Sequence, residues 1–237
     1  MSPSSVDVRI LVVLNSLASF HPLWGKLIYR AGINPFVRGF PIFFPVVALW
    51  FSSENRPRRS RMLAGLLATC GAIFLSVWIQ HHVATHVRPI LDARLCLLNL
   101  DPEWKTGWDR LYSFPSDTAS LFFGLATICF LENRLAGTVA FLWTLLVISV
   151  SRISMGLHYP SDIAGGLVLG VVCVCLFARI RPLHAFFERM LQRYESRIYI
   201  VHAALFLFLA DAYGLFAGLQ GIYNSARAAI VYAIAKL

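Results

Sequence analysis

Residues Met62 to His82 run without an Asp, Glu, Lys or Arg, directly after the four arginines of Arg56-Pro57-Arg58-Arg59-Ser60-Arg61. A stretch that long and apolar crosses a bilayer, and in lipid its backbone groups must pair within the segment, so it is a helix. Arginine-rich loops stay in the cytoplasm, so this span is expected to end outside. That single junction sets the direction of the rest of the chain.

Other apolar runs follow the same alternation. Gly39–Ser52 precedes the arginine loop, with Pro41 and Pro45 expected to kink it. Asp117–Leu131 returns inward to a small Glu132-Asn133-Arg134 turn, Leu135–Val150 leads out and Pro160–Phe177 comes back. Arg179, Arg181, Arg189, Arg193 and Arg197 form a second basic cytoplasmic stretch. A further span, Ile198–Leu219, and a mildly amphipathic tail, Gln220–Leu237, follow it. Residues 8–24, interrupted by Asn15, Ser16 and Ser19, fit either a short span or an interfacial amphipathic helix. The expected fold class is all-α: a polytopic helical membrane bundle of about six spans, with the N-terminal segment as a span or an interfacial helix. The expected division is an N-terminal segment over 1–35, a core bundle over 36–181, and a C-terminal extension over 182–237 with one more span and a short tail helix.

Composition narrows the partners. The chain is 58% hydrophobic, too apolar for an ordinary soluble domain. Its net charge is +9, but the basic residues sit beside apolar runs instead of forming a stripe, which points to membrane lipids and away from nucleic acid. Cys70, Cys129, Cys173 and Cys175 lie in apolar runs and only Cys96 lies in a loop, so no disulfide framework is expected. The run from Val8 lacks a basic leader and a small-residue cleavage site, and does not read as a cleavable signal peptide.

The longest polar connection, 83–114, is expected outside. Within it, Asp101-Pro102 reads as an N-cap and first-turn proline, and Trp104 and Trp108 would rest on the headgroup layer. The alternation places His81–Pro89, Ser113–Thr118 and Ser151–Asp162 all on the outer side. Three polar clusters, far apart in sequence, thus converge on one face of the bundle.

The third cluster carries the chemistry. His158 and Asp162 are four apart and share a face if a helix starts near Pro160. A carboxylate there can accept a hydrogen from one ring nitrogen and leave the other as an oriented nucleophile. Arg152 supplies a fixed charge suited to phosphate. The plainer alternative is that the trio caps two membrane helices at the water boundary. His202 and Asp211, nine apart in the last span, fall on nearly opposite faces and read as satisfied interhelical polar residues.

Together the clusters resemble the type 2 phosphatidic acid phosphatase superfamily of membrane lipid phosphatases. That family carries Lys-x6-Arg-Pro, Pro-Ser-Gly-His and Ser-Arg-x5-His-x3-Asp. Here the stretches read His81-x6-Arg88-Pro89, Pro115-Ser116-Asp117-Thr118 and Ser151-Arg152-x5-His158-x3-Asp162, with the resemblance covering roughly 36–181. It implies that His158 attacks phosphorus and Asp162 orients it. Arg88 and Arg152 would hold the phosphoryl oxygens, with Ser116 adding a hydroxyl and a backbone N–H. No metal or cofactor is implied, because the arginines supply the positive charge.

Three departures stand out. The family lysine is His81, a weaker phosphate ligand, and the family glycine is Asp117. The histidine that protonates the leaving group is Thr118. Phe114-Pro115-Ser116-Asp117 resembles the undecaprenyl diphosphate phosphatase branch, where a histidine still follows the aspartate. Asp117 reads as a helix-start charge more readily than as a substitute acid. A departing phosphate monoester, with a second pKa of about 6, needs little protonation, so losing the acid favours diphosphate substrates over monophosphates. The expected function is therefore a polyprenyl diphosphate phosphatase working through a phosphohistidine on the extracytoplasmic side of a bacterial inner membrane. The alternatives are a phosphotransferase passing phosphate to another lipid or glycan, and a non-catalytic lipid-phosphate binder or transporter.

Overall fold

The computed structural model describes residues 3–20, 22–52, 55–83, 85–98 and 112–213. Among them the regular structure is helical, apart from one isolated antiparallel bridge between Val87 and Tyr112. The helices are α1 (Ser5–Phe20), α2 (Pro22–Ile33), α3 (Pro35–Phe51), α4 (Arg56–His82) and α5 (Asp117–Glu132). They continue with α6 (Arg134–Trp143), α7 (Val150–Ser154), α8 (Pro160–Phe177), α9 (Arg181–Arg193) and α10 (Ile198–Tyr213). A π-helical segment, Thr144–Ser149, joins α6 to α7, and the Ser149 hydroxyl donates to the Thr144 carbonyl at 2.8 Å across it.

Among the described residues, three helices can cross a membrane by length and composition: Arg56–His82, the continuous Arg134–Ser154, and Pro160–Phe177. The pair α1 and α2, bent by 118°, counts as a fourth if taken as one broken span. Helices α3, α5 and α10, at 17, 16 and 16 residues, are shorter. The architecture is the all-α membrane bundle that the apolar runs predict.

Helix α5 is its axis. Every residue from Thr118 to Cys129 is buried, so α5 is covered on all sides, as a helix apolar all round requires. Its approach to α8 is close because α8 presents glycines there. A Cβ at Gly166 would lie 2.5 Å from the Ser116 carbonyl oxygen, and one at Gly170 would lie 2.6 Å from that of Ser120. Small residues substitute for apolar driving force between helices in lipid by letting backbones touch.

The two ends of the bundle differ in chemistry. Glu132, at the turn between α5 and α6, is paired with Arg58 and Arg61, each at 3.1 Å. The arginine loop and that turn therefore share one end. The 27 residues of α4 rise roughly 40 Å from it at 1.5 Å per residue. The Arg88, Ser113–Thr118 and Ser151–Asp162 segments meet at the opposite end.

Several local expectations shift. Helix α3 starts at Pro35, capped by the Asn34 side chain, and runs through both Pro41 and Pro45. The span expected to stop at Val150 continues to Ser154, so Arg152 stands on a helix and only residues 155–159 form the loop. Asp101, Pro102, Trp104, Trp108 and the Gln220–Leu237 tail lie outside the described residues. The chain divides into two compact units, Met1–Arg189 and Met190–Leu237. The second contains α10, an apolar helix that carries His202 and Asp211.

Candidate active site

The loop between α7 and α8 is built by three local devices. Gly156 takes the left-handed conformation, φ +69°, which lets the chain reverse after α7. The Leu157 N–H returns to the Arg152 carbonyl at 3.0 Å, and Ile90 N–H donates to the Gly156 carbonyl at 2.8 Å. Pro160 then opens α8, as the sequence predicts, and Asp162 closes a capping box on Tyr159 with a 2.8 Å bond from the Tyr159 N–H.

His158, at the centre of this loop, is completely buried. Its Nδ1 lies 3.2 Å from the Ser113 carbonyl and 3.6 Å from Asp162 Oδ2. Only the first is a hydrogen-bond distance, so Nδ1 carries the proton and donates it to the backbone. Nε2 is then the lone-pair nitrogen, and it is buried without a hydrogen-bond partner among the described residues. Burial, above all, holds the imidazole below its ordinary pKa; Asp162 opposes this, while Arg88 and Arg152 add to it. The unfolded chain takes up this proton more readily, so the contribution of His158 to stability falls as pH drops through about 6.5. Near neutral pH the ring is therefore neutral.

Asp162 is also completely buried, and its nearest side-chain partner is not His158. Oδ1 accepts from His86 Nε2 at 2.7 Å, while Oδ2 takes the Tyr159 N–H and faces His158 Nδ1. The hydrogen bond expected from His158 to Asp162 is thus made to the Ser113 carbonyl, because the carboxylate is engaged by His86 and by the Tyr159 N–H of its own helix start. His86 is held edge-on against the Tyr159 ring, with centroids 4.9 Å apart.

Arg88 is buried and built into the loop: Nη1 donates to the Leu157 carbonyl at 3.1 Å and Nη2 to Gln80 Oε1 at 3.3 Å. Gln80 in turn donates to the Pro115 carbonyl. Arg152 reaches Thr118, its Nη2 donating to Oγ1 at 3.1 Å. Thr118 is buried, and its N–H donates to Asp117 Oδ1 at 2.8 Å. Asp117, the first residue of α5, thereby meets one of the free amides of the helix start.

Ser116 is the N-cap of α5, its Oγ accepting from the Ala119 N–H at 3.3 Å. Its own N–H donates to the Asp162 carbonyl at 3.0 Å. The backbone N–H expected to meet phosphate is therefore engaged in tying α5 to α8, and the hydroxyl proton is the donor that remains. His81 is exposed on α4, with Nδ1 bonded to the Val77 carbonyl at 2.8 Å and its ring beside His82. Among the described residues no hydrogen bond or ion pair joins it to the cluster.

Two members of the cluster escape a motif search. Gln80 and His86 flank the position expected to matter, His81, and only the fold tells them apart from it. His86 contacts a carboxylate 76 residues away. The one available signal is a histidine two places before Arg88 in a polar connection, which is weak alone.

The fold and this cluster define an all-α membrane protein with histidine, aspartate and two arginines gathered at one end of the bundle. The chain belongs to the PAP2 superfamily, whose family model matches residues 61–186. It is 39% identical over 86 residues to the bacitracin transport permease protein BcrC of Bacillus licheniformis, covering 35% of this chain and 41% of that protein. The undecaprenyl-diphosphatase BcrC of Bacillus subtilis (strain 168) is 24% identical over 164 residues, 65% of this chain and 75% of that protein. YbjG of Escherichia coli (strain K12) is 27% identical over 161 residues, 66% and 72% of the two chains. No solved structure matches the chain.

The His86–Asp162 bond gives a direct prediction. His86→Phe keeps an aromatic ring against Tyr159 but leaves a buried carboxylate oxygen without its donor, which is expected to cost about 1–3 kcal/mol. His86→Gln, with an amide N–H in place of Nε2–H, is expected to recover most of that loss. Thermal unfolding in detergent measures both. Equal unfolding temperatures for the Phe variant and the wild type would show that the bond contributes nothing.

Proposed function

We propose that the chain is an integral membrane phosphatase that hydrolyses a polyprenyl diphosphate, undecaprenyl diphosphate being the first candidate, with His158 as nucleophile. The observation that carries this reading is the state of His158: a buried neutral imidazole, Nδ1 held by a carbonyl and Nε2 without a hydrogen-bond partner among the described residues. Family membership and the name of the Bacillus subtilis relative support the substrate class.

In the proposed mechanism His158 Nε2 attacks the terminal phosphorus. The bond to the bridging oxygen breaks, and the lipid monophosphate leaves with both electrons. The developing imidazolium keeps its Nδ1 proton on the Ser113 carbonyl and faces the Asp162 carboxylate. Arg88 and Arg152 stabilise the charge that spreads over the phosphoryl oxygens, which is most of what phosphoryl transfer needs. Water then attacks the phosphohistidine, releasing inorganic phosphate and restoring the neutral ring.

Thr118 sets the substrate preference. Its hydroxyl accepts from Arg152 and lies beside Asp117, so it extends the arginine's hydrogen bonding and offers no acidic proton. A lipid alkoxide would need that proton; a lipid monophosphate leaving group does not. Thr118→His is therefore expected to change turnover of a lipid diphosphate only modestly, while raising hydrolysis of a lipid monophosphate by about 10²-fold. Phosphate release on the same membranes measures both. Equal gains on the two substrates contradict the leaving-group argument, and label passing to a second lipid instead of water identifies a phosphotransferase.

The site is proposed to face the exterior or periplasm of a bacterial inner membrane. The basis is the arginine loop, which pairs with Glu132 at the end of the bundle opposite the cluster. Cys96 is exposed in the connection on the cluster's side. An impermeant thiol reagent on intact cells is expected to label it. Protection of Cys96, with labelling of Asn55→Cys, would invert the topology.

A further inference from the structure

Helix α1 lies before the region matched by the family model, which begins at residue 61. Three of its described residues are buried: Asp7, Leu11 and Asn15. They are four apart and form one stripe, while Val6, Ile10, Val13 and Leu17 on other faces are exposed. Packing alone would fill that stripe with apolar side chains. Two of the three are polar, at 7% and 5% exposure, and each makes a specific contact.

Asn15 Nδ2 donates to the Ser154 carbonyl at 2.9 Å and to the Leu98 carbonyl at 3.1 Å, and its Oδ1 accepts from the Leu98 N–H at 2.9 Å. Asp7 Oδ1 accepts from the Ser161 N–H at 2.9 Å, and Oδ2 accepts from the Ser4 hydroxyl at 2.8 Å. Ser154 is the last residue of α7 and Ser161 lies in the first turn of α8. The two contacts therefore fall on either side of the loop that carries His158. Between them Leu11, fully buried, packs with Ile153, Tyr159 and Ile163. On α1 the two anchors are eight residues apart, roughly 12 Å.

We propose that α1 is a bracket for the nucleophile loop, with Asp7 and Asn15 as positioning residues that hold its two ends. Helix ends leave backbone groups unpaired, and here one orphan carbonyl of α7 and one orphan N–H of α8 are each met by a side chain from a third helix. Asp7 also sets a negative charge at the N-terminus of α8, where it is favourable and where it competes with anion binding. Phosphate is thereby left to the Arg88 and Arg152 side of His158. Both contacts fix backbone, not substrate, so their removal acts on the placement of Nε2 and leaves the phosphate ligands in position.

The kinetic arm of the test rests on the phosphatase reading; the exchange arm does not. In detergent or nanodiscs, Asp7→Ala/Asn15→Ala is expected to speed hydrogen exchange in peptides covering residues 154–162, with peptides from α4 and the middle of α5 unchanged. On undecaprenyl diphosphate the same variant is expected to lose about 10–100-fold in kcat with little change in KM, since a misplacement near 1 Å costs on that order. Asp7→Asn, which keeps an oxygen for the Ser161 N–H, is expected to retain most of the activity that Asp7→Ala loses. Unchanged exchange over 154–162, or wild-type kcat in the double variant, overturns the bracket. Faster exchange confined to that segment supports it, even in a protein whose wild type shows no turnover; that last result would overturn the phosphatase reading alone.

Discussion

A carboxylate with no solvent contact is tolerable only where each oxygen is met, and Asp162 is such a group. Its side chain is met by His86 and by the Tyr159 N–H, and its carbonyl takes the Ser116 N–H. One residue in the first turn of α8 therefore joins the connection after α4, the start of α5 and the loop that carries His158. The glycines of α8 make that junction reachable, because the Ser116 carbonyl stands where a Cβ at Gly166 would be. The negative charge has a second effect. Arg88 and Arg152 both lie within electrostatic reach of a neutral His158, and Asp162 is the fixed counter-charge that keeps so much positive charge at one place.

The same economy of contacts explains the position of Thr118. In a site where a histidine could stand, a short hydroxyl accepts from Arg152 and docks it against α5. On the proposed phosphatase reading, leaving-group protonation is exchanged for firmer anchoring of an arginine. That exchange suits a substrate whose leaving group departs readily as an anion. Phosphoanhydride cleavage asks for positioned positive charge more than for an acid.

Much of this was legible in the sequence, for identifiable reasons. Span positions follow from apolar length, a local property that needs no tertiary information. The spacing of Arg152, His158 and Asp162 is also local: a helix end, one loop and a first helical turn fix it. The partners of those residues were not legible. His86 and His81 are chemically identical in sequence, and the register of α4 with the chain reversal after it decides that one meets Asp162 while the other is exposed. The Ser116 N–H looked available because a helix start exposes its amides, and the α5–α8 approach that engages it depends on glycines 50 residues later. Asn15 read as an interruption of an apolar run, yet it is one of the most heavily bonded side chains of α1.

The central claim is that His158 Nε2 forms a covalent bond to phosphorus. The most direct measurement incubates the purified protein with a lipid diphosphate labelled on its terminal phosphate and quenches it in base, where phosphohistidine survives. The account predicts label that is lost on acidification, maps to the peptide containing His158, and is absent from a His158→Ala variant with the wild-type unfolding temperature. Label on a different residue, or full turnover in His158→Ala, would contradict it.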